Sequence, residues 1–314
     1  MSSSTAVATR PAYRPYAATV AGVRRLSPHF VRVTFTGEDF DVFGTAGLDQ
    51  RIKLILPLAD GTLSDIGQHD PAVIDAGDWY TIWRDLPTAT RGPLRTYTVR
   101  RIDPAARRLD VDFVVHHDAG PAGAWAEKAA AGQQIVIVGP DQRSDGYRLG
   151  LDWHPGTARR VLLAGDETAA PAISAILESL DGTHEVDAFI EVPTAADRLT
   201  LDLPDRFRVT WIARETREHG SALGEAVSAW SAASGDILAR AAAARTQELV
   251  DVDVDVDMLW DSPEDSDGEF YAWIAGEAAM VKGLRRHLVQ GQGVDRKRVA
   301  FMGYWRLGQS ERQE

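Results

Sequence analysis

The sequence contains no cysteine. This absence excludes disulfides, thiolate catalysis, cysteine-ligated iron–sulfur clusters and cysteine zinc sites. If this protein carries out redox chemistry, its redox group must be borrowed, and an organic cofactor is the simplest choice.

Long apolar runs and an excess of positive charge are also missing. No stretch of about 20 apolar residues occurs, and residues 1–15 have no apolar core of signal-peptide length. We therefore expect a cytoplasmic protein without membrane insertion. The net charge of −12 argues against nucleic acid as the main partner, because phosphate backbones are bound by clustered Lys and Arg. A local basic pocket for an anionic ligand remains compatible with this total.

The chain length favours two domains of different class. At 314 residues, the chain exceeds what one hydrophobic core usually supports. Short strands separated by turn residues fill the first half, which predicts an antiparallel barrel or sandwich. These strands are expected at 17–36, 51–56, 95–100, 109–116 and 133–138, with one short helix at 122–131.

Strands alternate with helices in the second half, which predicts an open parallel α/β sheet. The strands are expected at 159–164, 185–192, 207–213, 270–275 and 299–303, and the helices at 170–180 and 278–289. A polar stretch at 143–158 marks the boundary. We expect a disordered start at 1–12, a first domain at 13–148, and a second domain at 156–314 with an acidic insertion at about 236–268.

The acidic insertion contains the alternating segment DVDVDVD at 251–257. A solvated acidic edge or loop is the interpretation that we favour. A calcium site is the alternative, although the glycine-turned spacing of an EF-hand is missing. We predict no resident metal.

Two motifs of the first half could carry chemistry. In RTYTVR (95–100), a tyrosine flanked by arginines can stack on a planar ring while the cations meet phosphates. An exposed amphipathic strand would show the same pattern. In HHDAGPAGAWA (116–126), a turn opens a short helix whose free N–H groups can cradle an anion. His116 and Trp125 of this segment could equally be packing residues.

Three motifs of the second half are candidates as well. AGDETAAPAI (164–173) and WIAGEAAMVKGLRRHL (273–288) each follow a strand into a helix, where open sheets bind ligands. Ordinary capped turns would look similar. In GYWRLG (303–308), the Tyr-Trp-Arg run could lie against a flavin or nicotinamide ring, or could simply anchor the tail by packing.

In this order, the five motifs resemble the siderophore-interacting protein family of FAD-binding ferric-siderophore reductases, over about residues 13–308. The resemblance implies an antiparallel six-stranded FAD-binding β-barrel followed by a parallel-sheet nicotinamide-binding α/β domain, as in the ferredoxin-reductase superfamily. It implies that NADH or NADPH reduces FAD, and that FAD reduces a ferric siderophore so that Fe(II) is released. The flavin carries this chemistry, and no catalytic residue of the protein is expected.

The resemblance also assigns residues to FAD. Arg95 would meet the phosphates, Tyr97 would stack on the isoalloxazine, and Thr98 would bond to its polar edge. Gly123 stands where the family usually has serine, so a hydroxyl contact would be lost while the backbone amide remains. The full set of FAD positions is Arg95, Thr96, Tyr97, Thr98, Val115, His116, His117, Gly120, Pro121, Ala122, Gly123, Trp125, Tyr304, Trp305 and Arg306.

The nicotinamide and substrate positions follow in the same way. The positions expected to bind NADH or NADPH are Gly165, Asp166, Glu167, Thr168, Pro171, Arg214, Gly276 and Glu277. Among them, Arg214 is a candidate for a ribose or 2′-phosphate contact. The segment RIKLILP resembles the family's segment with a cleft lysine, here Lys53. With Arg143 and Arg286, Lys53 could form a basic pocket for an anionic ferric chelate.

Two other functions remain open at this point. The chain could be a flavin or electron-transfer reductase that serves a general acceptor or a redox protein partner, with the acidic insertion as a docking surface. It could also be a siderophore-binding module without turnover.

Overall fold

The computed structural model describes residues 10–116, 120–249, 252, 254, 257–264 and 266–308. Their strands form two separate sheets, one of seven strands and one of six. The first sheet is built from the first half of the chain and the second sheet from the second half, as the change in sequence pattern predicts.

The first sheet is antiparallel. Its strands are β1 (Tyr13–Arg25), β2 (Phe30–Thr36), β3 (Arg51–Ile55), β4 (Leu94–Thr98), β5 (Arg101–Asp103), β6 (Arg108–Val114) and β7 (Gln134–Pro140). They are ordered β4-β3-β7-β1-β2-β6-β5. In β2, the alternating residues Val31, Val33 and Phe35 are buried, as the period-two pattern predicts.

The first sheet curls because its two edges are drawn together after β4. Val99 N donates to Gln50 O, and Arg100 N donates to Asp110 O on β6. The strand predicted at 95–100 therefore ends at Thr98, and the chain continues into β5, an additional strand of three residues. The predicted antiparallel barrel architecture is confirmed, with seven strands instead of six.

Three helices accompany the first sheet. They are α1 (Pro71–Ala76), α2 (Trp79–Asp85) and α3 (Pro121–Glu127). The sequence analysis did not predict α1 and α2, and α3 ends four residues before the predicted helix end at 131. The indole of Trp83 is buried in an apolar cluster with Ile55 and Val138, so α2 covers the outer side of β3 and β7.

The second sheet is parallel except at one edge. Its strands are β8 (Arg160–Gly165), β9 (Glu185–Val192), β10 (Phe207–Ala213), β11 (Trp260–Asp261), β12 (Phe270–Glu277) and β13 (Val299–Trp305). Their order is β10-β9-β8-β12-β13-β11, and only β11 is antiparallel to its neighbour. The strand order reverses between β8 and β12, and ligands of open α/β sheets bind at such a switch point.

Helices cover both faces of the second sheet. They are α4 (Ala170–Ser179), α5 (Ser221–Ala233), α6 (Gly235–Ala241) and α7 (Ala278–Arg285). A π-helical segment at Arg286–Gly291 continues α7, which accounts for the long helix predicted at 278–289. Among the residues that the structure describes, no helix is long and apolar enough to cross a bilayer.

Two predictions fall partly or wholly outside the described residues. Residues 1–9 of the expected disordered start belong to this group. So do Asp251, Asp253 and Asp255, and the calcium interpretation of their segment therefore stays untested. Val252 and Val254 are described, and they pack against the apolar cluster under α5 and α7.

Buried polar contacts join the two halves of the chain. The Arg100 guanidinium forms two hydrogen bonds with the Glu178 carboxylate on α4, at 2.6 and 2.7 Å. Asp197 accepts hydrogen bonds from the Ser27 hydroxyl and from the backbone N–H of His29. Because charge-assisted hydrogen bonds depend strongly on geometry, these contacts set the orientation of one sheet against the other.

Candidate functional site

Residues of the RTYTVR motif lie on the edge strand β4. Its neighbour β3 pairs with it in antiparallel register, with Lys53 opposite Thr96 and Ile52 opposite Tyr97. The Lys53 Nζ donates to the Thr96 hydroxyl at 2.6 Å. The structure thus brings together a residue predicted to bind substrate and a strand predicted to bind FAD.

An aromatic cluster lies beside β4. The ring of Tyr97 is 4.5 Å from that of Phe113 on β6, and Trp125 on α3 lies 5.7 Å from the same ring. Trp125 also stacks on Phe35 at 6.2 Å. Its indole Nε1 is buried without a hydrogen-bond partner among the described residues. Trp125 is therefore partly a packing residue, and its N–H remains available to an acceptor.

The turn before α3 is open on one side. Pro121 lies at the start of the helix, and a Cβ added at Gly120 would meet no atom of the described residues within 4 Å. Ala122 and Gly123 are buried against the barrel. Val115 is buried just after the end of β6, His116 is exposed, and His117 lies outside the described residues. The open side leaves room for a ligand beside the first N–H groups of the helix.

Asp166 connects the three motifs of the second half. It lies in the turn Gly165–Thr168, which we call the β8 turn. Its carboxylate accepts hydrogen bonds from the Thr168 N–H and hydroxyl, from the Glu277 N–H at 2.7 Å, and from the Trp305 Nε1–H at 2.9 Å. Glu277 is the last residue of β12 and lies in the link from β12 into α7 (Gly276–Ala278), which we call the β12 turn, and Trp305 belongs to the C-terminal motif (303–308). The motifs are therefore held together by one buried carboxylate.

Two glycines allow this close approach. A Cβ at Gly165 would lie 2.6 Å from the Ala275 carbonyl oxygen, and one at Gly276 would lie 2.7 Å from Asp166 Oδ2. Gly276 also has a φ of +141°, which L-residues rarely adopt. The Glu277 side chain caps α7 by accepting from Met280 N at 2.9 Å. Pro171 occupies the first turn of α4, where its missing N–H costs nothing.

Replacing Gly276 by alanine should lower the free energy of unfolding by about 1–3 kcal/mol, because alanine is strained at this φ and collides with Asp166. Gly283→Ala is the matched control, since Gly283 lies on α7 with nothing within 4 Å of an added Cβ. That change should stabilise by about 0.5–1 kcal/mol through helix propensity. Urea unfolding of both variants tests the prediction, and equal effects would contradict it.

Glu167 and Arg214 form a buried ion pair behind the β8 turn. Both guanidinium NH groups lie 2.9 Å from the Glu167 carboxylate, and NH1 also reaches Glu191 Oε1 at 3.2 Å. Burial raises the pKa of Glu167, but His219 and Arg214 outweigh this effect and hold the pKa at about 2. Arg214 is thus engaged by two carboxylates, and its predicted contact with the ribose or 2′-phosphate stays a prediction.

Three arginines that the sequence analysis assigns to ligand binding have their side chains away from the cluster of Asp166, Glu167 and Arg214. Asp141 binds the Arg143 guanidinium through two hydrogen bonds of 2.6 and 2.8 Å. Arg286 is exposed at the far end of α7, about 14 Å along the helix axis from Glu277 at about 1.5 Å per residue. Arg306 donates to the Asp257 carbonyl oxygen. Their predicted roles in binding stay predictions.

The sequence analysis missed two buried groups of this site. Glu191 is fully buried on β9 and accepts from the backbone N–H groups of Gly220 and Leu223. A charged residue at the end of an apolar strand was the available signal. His219 lies in a polar loop before α5, close to Asp166 and Glu167. Nothing in that loop's pattern distinguishes it from a solvated histidine.

Comparison with known proteins adds an independent line of evidence. Residues 19–144 match the model of the siderophore-interacting FAD-binding domain, and residues 158–308 match the model of the siderophore-interacting protein. An uncharacterised protein of Mycobacterium tuberculosis is 36% identical over 298 residues, covering 93% of this chain and 90% of that protein.

Characterised relatives and solved structures agree with these matches. The ferric vibriobactin reductase of Vibrio cholerae is 29% identical, over 91% of this chain and 87% of its own. The NADPH-dependent ferric-chelate reductase of Escherichia coli is 27% identical, over 91% of each chain. A siderophore utilization protein from T. fusca superposes with a TM-score of 0.66 at 27% identity, over 96% of each chain.

Proposed function

Because this chain belongs to the siderophore-interacting protein family, we propose that it reduces ferric siderophores with electrons from NADPH or NADH, passed through FAD. The contact between Lys53 Nζ and the Thr96 hydroxyl is the observation that carries the proposal. It supplies a cation directly beside the strand with the predicted flavin motif, where an anionic ferric chelate must come to receive electrons. Iron is then released because Fe(II) binds hard oxygen ligands less well.

The residues around β4 fit FAD. Within the described part of the chain, the buried N–H of Trp125 lacks an acceptor, and the open side of Gly120 leaves space for a phosphate. Bound there, FAD would supply the centre that accepts hydride and releases single electrons. In this proposal Tyr97 orients the ring by stacking, and Arg95 neutralises the phosphates. The remaining FAD positions predicted from the sequence stay predictions.

The β8 turn and the β12 turn fit a nicotinamide nucleotide. They lie at the carboxyl ends of the adjacent strands β8 and β12, at the switch point of the sheet. The glycines at 165 and 276 let the two turns approach each other closely, because a Cβ on either would collide with atoms of the neighbouring turn. In the proposal, Asp166 positions Trp305 and Glu277 there, and the backbone of the turns contacts the nucleotide.

The proposal includes the cytoplasm as the place of reaction, since reduced nicotinamide nucleotides are supplied there. It also includes the domain limits, 13–148 for the FAD-binding part and 156–314 for the nicotinamide-binding part. The family matches at 19–144 and 158–308 support these limits.

Anaerobic spectroscopy of the purified protein tests the function. We expect a yellow protein whose flavin absorbance is bleached by NADPH or NADH and returns on addition of a ferric siderophore. Colourless protein that still binds the chelate would indicate a binding module. Bleaching that is reversed equally well by any acceptor would indicate a general reductase or a redox protein partner instead.

Lys53→Met should raise the KM for an anionic ferric siderophore about tenfold, the equivalent of about 1.4 kcal/mol. The rate of flavin reduction by NADPH should change much less, because the variant removes the charge offered to the acceptor and, on the flavin side, a single hydrogen bond to Thr96. Added salt should shrink the difference between variant and wild type. Lys297→Met is the matched control, because Lys297 is an exposed lysine in the short 3-10 helix directly before β13. An unchanged KM in Lys53→Met would contradict the role of Lys53.

A further inference from the structure

His219 occupies an unusual position beside the β8 turn. Its Nε2 lies 3.5 Å from Asp166 Oδ2 and 3.7 Å from Glu167 Oε2. Both ring nitrogens are buried, and neither has a hydrogen-bond partner within the described part of the chain. The ring also stands edge-on to the indole of Trp305, at 5.2 Å and 89°. The imidazole thus contacts two adjacent carboxylates and the residue that Asp166 holds.

Negative charges outnumber positive charges around His219 when its imidazole is neutral. Asp166 and Glu167 come from the β8 turn, Glu191 from β9, and Arg214 from the end of β10. From the first domain, the imidazole of His116 approaches Glu167 at 3.6 Å. Three buried carboxylates therefore face one permanent cation. A protonated His219 leaves the cluster with a single net negative charge instead of two.

The neighbouring charges favour the protonated form of His219. Burial lowers the pKa of His219, but the neighbouring carboxylates of Glu167 and Asp166 outweigh it and raise the pKa above 6.5. His116 is the contrasting case, because burial lowers its pKa despite Glu167. Burial and the Glu167 charge raise the pKa of Asp166, which a nearby imidazolium opposes. His219 is thus the titratable cation of this cluster.

A metal ion is the competing explanation for two carboxylates and a histidine, whose ligand atoms lie within 4.8 Å of one another. The hydrogen bonds argue against it. Asp166 accepts from Thr168, Glu277 and Trp305, and both oxygens of Glu167 bind Arg214. A cation at this point would have to displace these donors. An imidazolium needs no such displacement.

We propose that His219 is a positioning residue whose imidazolium balances Asp166 and Glu167 and thereby holds the Trp305 indole at the nicotinamide edge. The proposal rests on the function proposed above. Loss of the proton leaves the carboxylates less compensated, which weakens the set of contacts that fixes Trp305. It also makes the edge more negative, which opposes the phosphates of an incoming nucleotide. NADPH should therefore bind best at a pH at which His219 is charged.

The first test is the pH dependence of NADPH use by the full-length flavoprotein. Between pH 6.5 and 8.5, the wild-type KM for NADPH should rise about fivefold, a change within the range of one partly screened charge pair. His219→Gln should show the high KM at both pH values, with a smaller effect on kcat. His287→Gln is the matched control, because the Nε2 of that imidazole forms a hydrogen bond with the Ser231 hydroxyl on α5 at 3.0 Å.

A second readout does not depend on activity. The protein is labelled with 5-fluorotryptophan, and the fluorine resonance of Trp305 is assigned with Trp305→Phe. In the wild type and in His287→Gln, this resonance should titrate with a midpoint above pH 6.5, and in His219→Gln the titration should be lost. An unchanged titration in His219→Gln overturns the positioning role. Failure of NADPH oxidation with the titration intact would instead count against the proposed function alone.

Discussion

Replacing Arg214 by methionine is expected to lower the free energy of unfolding by about 3–5 kcal/mol. The guanidinium binds Glu167 through two hydrogen bonds and reaches Glu191, and both carboxylates are almost completely inaccessible to solvent. Methionine fills a similar volume but leaves two buried carboxylates without their counter-ion. Removing one partner of a buried pair is costly because the remaining charge stays desolvated. Urea unfolding of the flavin-free and flavin-bound protein at neutral pH measures the loss.

Two further variants separate this cause from a general packing defect. Arg217→Met, three residues along the same loop, removes an exposed partner of Glu225 and should change stability little. Adding Glu167→Gln to Arg214→Met should restore part of the lost stability, because it removes one of the uncompensated charges. A double variant that is less stable than Arg214→Met would show that the ion pair is not the source of the loss.

The sequence predicts the elements that hold the fold together better than the contacts between them. Val31, Val33 and Phe35 alternate in the sequence and are buried in β2, because period-two burial is a local property of a strand. The turn at Val99 and Arg100 depends instead on backbone bonds to Gln50 and Asp110, which no local pattern reveals. That is why a single strand was expected at 95–100 and two shorter ones are found.

The same distinction applies to the site. Asp166, Glu277 and Trp305 were each recognised within separate motifs, yet their mutual hydrogen bonds depend on the packing of β8, β12 and β13. Arg214 was recognised as a cation near a strand end, whereas its partners Glu167 and Glu191 come from two other strands. Long-range pairing of this kind decides whether an arginine faces a ligand or the protein's own carboxylates.

Asp49 lies at the boundary of the two sheets. Its surroundings raise its pKa, whereas those of Glu167 lower the pKa of that carboxyl. Its carboxylate is fully buried and accepts from the indole N–H of Trp273 on β12 at 2.9 Å and from Asp152 N at 3.0 Å. The other carboxylate oxygen has no hydrogen-bond partner among the described residues. Burial, reinforced by the negative charge of Asp152, raises the pKa of Asp49 to about 6. The folded state thus favours the neutral acid.

This pKa gives a definite sign to the pH dependence of stability. In the unfolded chain Asp49 titrates near its ordinary value of 3.8. Between about pH 4 and 6 the folded state binds more protons than the unfolded state, so this residue's contribution to stability falls as the pH rises. The difference between the two pKa values corresponds to about 3 kcal/mol. The full cost is present at pH 8, where the buried carboxylate is charged.

Asp49→Asn should remove that cost, since the amide oxygen can still accept from Trp273 while carrying no charge. Relative to the wild type, the variant should gain up to about 3 kcal/mol between pH 4 and pH 8, measured by urea unfolding across this range.

Asp187→Asn is the matched contrast, because Asp187 also accepts from an indole, that of Trp230 at 2.8 Å. Burial raises the pKa of Asp187, but Arg208, Trp230 and Arg160 outweigh this and lower it. Its variant should therefore lose stability relative to the wild type as the pH rises toward 3.8 and show no gain between pH 4 and pH 8, and parallel curves for the two variants would refute the assignment.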